Sequence, residues 1–240
     1  MPSVAASRDD WTAARIALLN REKAHTRERD ALAQARRALP ALKIDKDYAF
    51  EGPDGRESLH ALFAGRSQLM VYHFMYGTDW AEGCLSCSFW ADNLDGIDIH
   101  LAHRDVSLVF VSTAPFDVID TYRNRMGWRF KWVSCAGSDF NRDMNVSFTE
   151  QEREKGDVYY NFGPSQFPST EAPGLTCFQR EGDRIFLTYA AYGRGLDHFN
   201  GAYQLLDLAP KGRDESDLPW PMAWLKRHDQ YTDAADPDGL

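Results

Sequence analysis

The chain has no long hydrophobic run. None of its apolar stretches approaches the roughly 20 residues that a helix needs to span a bilayer. The first residues, Met1-Pro2-Ser3-Val4-Ala5-Ala6-Ser7, turn charged too soon to hold the apolar core of about 7–15 residues of a secretory signal. These two absences predict a cytoplasmic protein with no membrane partner. Cysteine is also scarce. Four in 240 residues are too few to build a disulfide scaffold. Basic charge is in deficit, with 27 Lys and Arg against 36 Asp and Glu and a net charge of −9. That argues against a general nucleic-acid binder. What is present, 43% hydrophobic residues of which many are aromatic, is the composition of a globular core. The length suits one large domain with embellishments.

The order of elements follows from periodicity and punctuation. Residues 8–38 read as one helix, capped by Ser7 or Asp10 and stopped by Pro40, with a thin apolar stripe around Ile16, Leu19 and Leu32. Two readings of this arm stand side by side: a solvated helix, or a dimerisation arm that makes the chain a homodimer. Residues 43–57 read as a small hairpin turning at Gly52-Pro53-Asp54-Gly55, and Ser58 caps a short helical turn to Phe63. The continuous apolar runs 67–76 and 106–112 read as buried strands. Between them 86–104 reads as helix. Pro115 opens a further helix over 116–126, ended by Gly127, and 130–133 is a third strand.

Residues 136–172 are rich in turn formers and read as a long excursion, ordered by Phe140, Phe148, Tyr159, Tyr160 and Phe162. A hairpin follows, Leu175–Gln179 and Ile185–Tyr189 about a turn at Glu181-Gly182-Asp183, then a last helix over 199–207. The organisation is thus an arm (1–42), a core domain (43–209) with its insertion (136–172), and a tail (210–240) whose Trp220, Trp224 and Tyr231 imply docking. The order β-α-β-α-β followed by a β-hairpin and a helix requires parallel strands with right-handed crossovers, then antiparallel edge strands. This predicts an α/β fold with a mixed sheet sandwiched by helices.

The chemistry concentrates at Cys84-Leu85-Ser86-Cys87, placed after a buried strand and at a helix start. That is how a thioredoxin-like fold presents a redox dithiol. The spacing sets the sulfurs about one helical turn apart, and the first meets unpaired N–H groups at the positive helix end, which favour the thiolate. Cys84 is the candidate nucleophile and Cys87 the resolving thiol of a thiol–disulfide oxidoreductase. Its substrates would be protein or small-molecule disulfides or dithiols, with no cofactor. Asp79 and Glu82 would oppose the helix by raising a nearby thiol pKa. Trp80, in the preceding loop, is a candidate substrate-facing surface. So are Pro173, in the position where thioredoxin-like proteins hold a cis proline facing the dithiol, and Gly174, which would leave room for close approach. Asp92 reads as solvated helix surface. Isolated Cys135 and Cys177 read as small buried hydrophobes.

Two other readings compete. Two thiolates plus the imidazole of His73, on the strand leading to the dithiol, would suit copper as Cu(I). Alternatively the chain is a non-catalytic interaction module. A structural zinc half-site lacks a second C-x-x-C to complete it.

Long strings of this sequence are similar to one bacterial family. They include Tyr72-His73-Phe74-Met75, Gly83-Cys84, Cys87-Ser88-Phe89-Trp90-Ala91-Asp92-Asn93, Arg125-Met126-Gly127-Trp128, Asp139-Phe140-Asn141, Gly193-Arg194-Gly195-Leu196-Asp197 and Leu206-Asp207-Leu208. The chain resembles domain-of-unknown-function family 899, thioredoxin-like proteins placed near the alkyl hydroperoxide reductase and thiol-specific antioxidant group. The resemblance implies a thioredoxin-like fold and a dithiol role for Cys84 and Cys87, but no substrate. The sequence departs from the P-x-x-x-T-x-x-C loop of peroxiredoxins. Gly77 and Ala81 stand where its Pro and Thr would be, with Thr78 displaced.

Overall fold

A computed structural model describes residues 5–231. It divides into two compact units, Met1–Ala41 and Leu42–Leu240. The first holds one helix, α1 (Arg8–Arg37). Ser7 caps it by accepting from Asp10 N–H at 3.1 Å, with Asp9 and Asp10 in the first turn and Arg36 and Arg37 in the last, charges that suit the helix dipole. No side chain of α1 is buried.

In the second unit the elements run β1 (Leu42–Ile44), β2 (Ala49–Gly52), β3 (Gly55–Ser58), α2 (Leu59–Leu62), β4 (Gln68–His73), α3 (Leu85–Leu94) and α4 (Asp98–Ala102). Then come β5 (Val106–Ser112), α5 (Phe116–Arg125), β6 (Lys131–Ser134), α6 (Phe140–Asp143), α7 (Glu150–Lys155), β7 (Val158–Tyr160) and β8 (Gly163–Ser165). The last are β9 (Gly174–Glu181), β10 (Arg184–Tyr192), a 3-10 turn (Gly193–Phe199) and α8 (Gly201–Leu206). Among the described residues no helix is long and apolar enough to cross a membrane.

One sheet of eight strands runs β1-β10-β9-β4-β5-β6-β2-β3. Its centre is parallel, β4 with β5 and β5 with β6, while β9 lies antiparallel on the other side of β4 and β10 antiparallel beyond it. Alternation along β4 assigns the faces. Leu69 and Val71 join a core with Leu62, Val109 and Phe140, whereas Tyr72, and Phe74 just beyond, join a second core with Trp90, Phe110, Ile119 and Tyr203. Both crossovers from β4 through β5 to β6 carry their helices on this second face, as right-handed connections stepping in one direction require. The arrangement β5-β4-β9-β10, with α3 following the central strand, is the thioredoxin-like fold, here extended by β6, β2 and β3 on one edge and β1 on the other.

Several sequence expectations are corrected. Only 49–58 forms the early hairpin; Leu42–Ile44 instead pairs with Ile185–Leu187 of β10. The helix expected over 86–104 is broken. Asp95 turns extended so that its carboxylate accepts Arg129 N–H at 2.7 Å, and Gly96 takes φ +86°, a left-handed conformation open to glycine. In the excursion, Phe140 and Tyr160 are buried but Tyr159 and Phe162 are 51% and 66% exposed. The reason is a tight turn between β7 and β8 with Asn161 and Phe162 both at positive φ, which puts Phe162 at the tip. Of the tail aromatics, Trp224 packs on the second core, while Trp220 and Tyr231 stay exposed. The tail beyond Tyr231 lies outside the described residues.

The second core is held by aromatic stacking. Phe110 lies face to face on Phe130, ring centroids 3.7 Å apart, and both are fully buried. Phe110→Ala is expected to cost about 3–5 kcal/mol in denaturant unfolding, the usual loss for a buried phenylalanine. A loss below about 1 kcal/mol would contradict this packing.

Candidate dithiol site

The loop from β4 to α3 is fastened at both ends. Phe74 N–H donates to Val111 O at 2.9 Å, and Ala114 N–H to Tyr76 O at 2.8 Å, which extends the β4–β5 pairing past the strand ends. The chain then circles back, and Cys84 N–H donates to Met75 O at 3.0 Å. Gly83 makes the return fit. A Cβ there would lie 2.8 Å from Phe74 Cε1 and 2.9 Å from Tyr122 Cε1, so only glycine passes between these rings.

Cys84 is the N-cap of α3 and is half-buried; Cys87 is buried one turn in. The two thiols differ in acidity. Cys84 is lowered to about 7, first by the hydrogen bond from the Cys87 thiol, then by the N–H groups of Cys87 and Ser86 and the Arg227 charge, against the effect of burial. Cys87 is pushed up, by burial first and then by Cys84. Met75 N–H donates to Cys87 Sγ at 3.4 Å. Glu82 does not weigh on Cys84 as expected, because it is paired with both Arg125 and Arg227.

The other sequence candidates are placed differently. Trp80 folds over Gly77, where a Cβ would lie 2.7 Å from its Nε1, and lines a cleft of about 510 Å³ whose lining includes neither thiol of the pair. Gly174 pairs with His73 in the sheet, but its missing side chain leaves no open approach. Tyr192 and Val146 fill the space, 2.9 and 3.0 Å from where a Cβ would be. Pro173 follows a trans bond, since no described peptide bond is cis. Before it, Ser147 is bridged to Glu171 and Ala172 N–H is bonded to Val146 O, and Pro173 O accepts from Tyr160 Oη at 2.7 Å. Asp92 is no idle surface residue: it accepts from Trp128 Nε1 at 2.7 Å and meets His228 Nδ1 at 2.6 Å. Cys135 and Cys177 are held as thiols by burial, Cys177 at about 11.

His73 is not brought to the thiols as a ligand. It points to the other face of the sheet and both ring nitrogens are engaged, Nδ1 with Asn141 Oδ1 and Nε2 with Thr176 Oγ1, each at 2.9 Å. Among the described residues no three His, Cys, Asp or Glu side chains form a metal-holding group.

His73 belongs instead to a buried polar network that the sequence did not disclose. Glu171, on the same 510 Å³ cleft as Trp80, receives Ser147 Oγ–H at 2.7 Å and lies 3.0 Å from Thr113 Oγ1. The Asn141 side chain joins the network to both Glu171 and His73. Burial raises Glu171 to about 7 against these hydrogen bonds, and burial lowers His73 to about 4. Thr113 Oγ1 also lies 3.2 Å from Tyr76 O, which can take its single hydrogen. Thr113 can instead turn that hydrogen to Glu171 Oε1, a donation that favours the carboxylate against burial.

A family described as "Bacterial protein of unknown function (DUF899)" matches residues 1–231. No curated protein sequence matches the chain. Among solved structures it is similar to peroxidoxin BcpB from Mycobacterium tuberculosis, with 10% identity, TM-score 0.46, and 69% of this chain and 95% of that chain covered. It is also similar to peroxiredoxin Q from Xanthomonas campestris, at 14% identity, TM-score 0.41, and 70% and 90% coverage. A third is a putative protein disulfide isomerase from Bacteroides thetaiotaomicron, at 12% identity, TM-score 0.40, and 74% and 95% coverage. These likenesses are too distant to carry a reaction over, and the chemistry is argued from the site.

The buried network predicts a specific pH dependence. His73, depressed when folded, withdraws stability as pH falls from about 6.5 to 4. Glu171, raised when folded, withdraws it as pH rises from about 4.5 to 7. The two contributions oppose each other and largely cancel in the shared window. Glu171→Gln removes one of them, so the variant's unfolding free energy should climb with pH between about 4.5 and 6.5 more steeply than the wild type's. The added slope is up to about 1.4 kcal/mol per pH unit. Parallel curves for the two proteins would refute the assignment.

Proposed function

The chain belongs to the bacterial family of unknown function DUF899, and on that premise we propose that it is a thiol–disulfide oxidoreductase. The observation that carries this reading is the contrast within the pair: a half-buried thiol at a helix N-terminus with lowered pKa, and a fully buried thiol with raised pKa one turn behind it. Such a pair is ordered for two-step exchange. The Cys84 thiolate attacks one sulfur of a substrate disulfide. The substrate S–S bond breaks, the other sulfur leaves as a thiolate and takes a proton from water, and a mixed disulfide remains on Cys84. Cys87 then attacks Cys84 Sγ, and its proton passes to the substrate sulfur that leaves. The second substrate thiol departs, and the Cys84–Cys87 disulfide forms. The substrate gains two electrons and the protein loses two.

Burial of Cys87 suits this sequence, because it keeps the second thiol protonated until the mixed disulfide replaces the Cys84 charge that opposes its ionisation. A dithiol partner resets the pair, and the same steps in reverse oxidise such a partner.

The order of attack is tested by trapping. Cys87→Ser should stop after the first step and accumulate a mixed disulfide on Cys84 with a model disulfide, seen as a stable mass increase. Cys84→Ser should lower exchange to the uncatalysed rate. Equal exchange by Cys84→Ser and wild type would sink the mechanism.

A further inference from the structure

The segment from Met222 to Tyr231 carries side chains that the exchange cycle does not use, and one of them, Arg227, reaches the turn before α3. Leu225 is buried and Trp224 packs edge-on against Phe89, ring centroids 5.7 Å apart. After this apolar anchor Arg227 reaches the dithiol loop, and the next two residues fasten the segment to α3 and α5. Arg227 donates from Nη2 to Gly83 O at 2.9 Å and from Nε to Tyr122 Oη at 2.7 Å, and its Nη1 lies 3.0 Å from Glu82. His228 meets Asp92, and Asp229 receives Arg125 Nε at 2.7 Å.

The Tyr122 contact continues inward. Ser88 Oγ donates its one hydrogen to Cys84 O at 2.9 Å, so Tyr122 Oη, 2.9 Å from Ser88 Oγ, donates to Ser88 and accepts from Arg227. One guanidinium therefore holds both carbonyls that bracket Cys84: Gly83 O directly, and Cys84 O through Tyr122 and Ser88. The Arg227 side chain is 13% exposed. A guanidinium so far out of water needs its three acceptors.

We propose that Arg227 is a positioning residue of the dithiol, delivered by the C-terminal segment. It fixes the turn that presents Cys84 and supplies positive charge that favours the thiolate. The proposal rests on the dithiol reading of Cys84 and Cys87. Cys84 is influenced by Cys87 on α3, Tyr72 on β4 and Arg227 on the segment; Arg227 in turn contacts Glu82 and Tyr122, and Glu82 also pairs with Arg125, which holds Asp229. Asp92, on α3, is engaged with His228. Glu82 and Asp229 are balanced by Arg125 and Arg227. Without Arg227, two carboxylates face one guanidinium, and the excess negative charge opposes ionisation of Cys84.

The test is the pH profile of iodoacetamide alkylation at Cys84 in full-length wild type, Arg227→Lys and Arg227→Gln, each shown to melt cooperatively. Arg227→Gln should move the inflection up by about one pH unit, a roughly tenfold loss of thiolate well below the inflection. Arg227→Lys, which keeps the charge, should move it less. An unmoved inflection in folded Arg227→Gln, or equal movement in the two variants, overturns the proposal. Should Arg227→Gln fail to fold, Glu82→Gln takes its place: it leaves the charge of Arg227 without its carboxylate partner and should lower the inflection, and no movement there overturns the proposal. Alkylation needs no disulfide substrate, so this failure is distinguishable from failure of the oxidoreductase reading, which the trapping experiment reports.

Discussion

The backbone of Met75 holds both cysteines. Its carbonyl accepts the Cys84 N–H at 3.0 Å and its N–H donates to Cys87 Sγ at 3.4 Å. Met75 lies just past β4, where Phe74 is still bonded to Val111 beyond the strand end, so the dithiol is referenced to the most buried part of the sheet. That attachment places the start of α3; the acidity of Cys84 then comes from Cys87, the helix N–H groups and Arg227, and burial keeps Cys87 protonated against the Met75 N–H. The half-buried first thiol stands at the N–H groups of the helix start, and the second is carried by one helical turn into an apolar core, where charge is costly.

The same strand separates two ionisable systems. Tyr72 points to the dithiol face and His73 to the opposite one, as strand alternation demands. On the dithiol side the thiols meet the helix end and the charges of α5 and the C-terminal segment. On the other side His73, Asn141 and Glu171 form a closed network reaching the cleft beside Trp80. His73 is thus a structural neighbour of the dithiol in sequence and a stranger to it in space, which removes the imidazole from the copper reading.

Much of the fold was legible because the signals were local. The apolar run at 106–112 is β5 to the residue, Ser58 caps α2 as its position implies, and Gly127 follows α5 in the left-handed conformation. Cys84 and Cys87 stand at the start of α3, which the strand before them foretold. What was not legible depends on partners far along the chain. Asp95 leaves its helix for Arg129. Gly174 is hemmed in by Tyr192 and Val146, which leave no room for a Cβ. Arg227 lies 144 positions from the Gly83 carbonyl it holds, and nothing in its local sequence announces that reach. The charge next to a dithiol is a tertiary quantity: Glu82 reads as a burden on the thiolate until its two arginines are seen.

The central claim is that Cys84 and Cys87 act as one reversible two-electron couple. An equilibrium redox titration of the purified protein, with mass spectrometry reporting the Cys84–Cys87 bond, tests it most directly. The account predicts a single reversible disulfide with a potential in the range of roughly −120 to −270 mV spanned by dithiol oxidoreductases. Failure to form that bond under mild oxidant, while both thiols remain open to alkylation on unfolding, would contradict it.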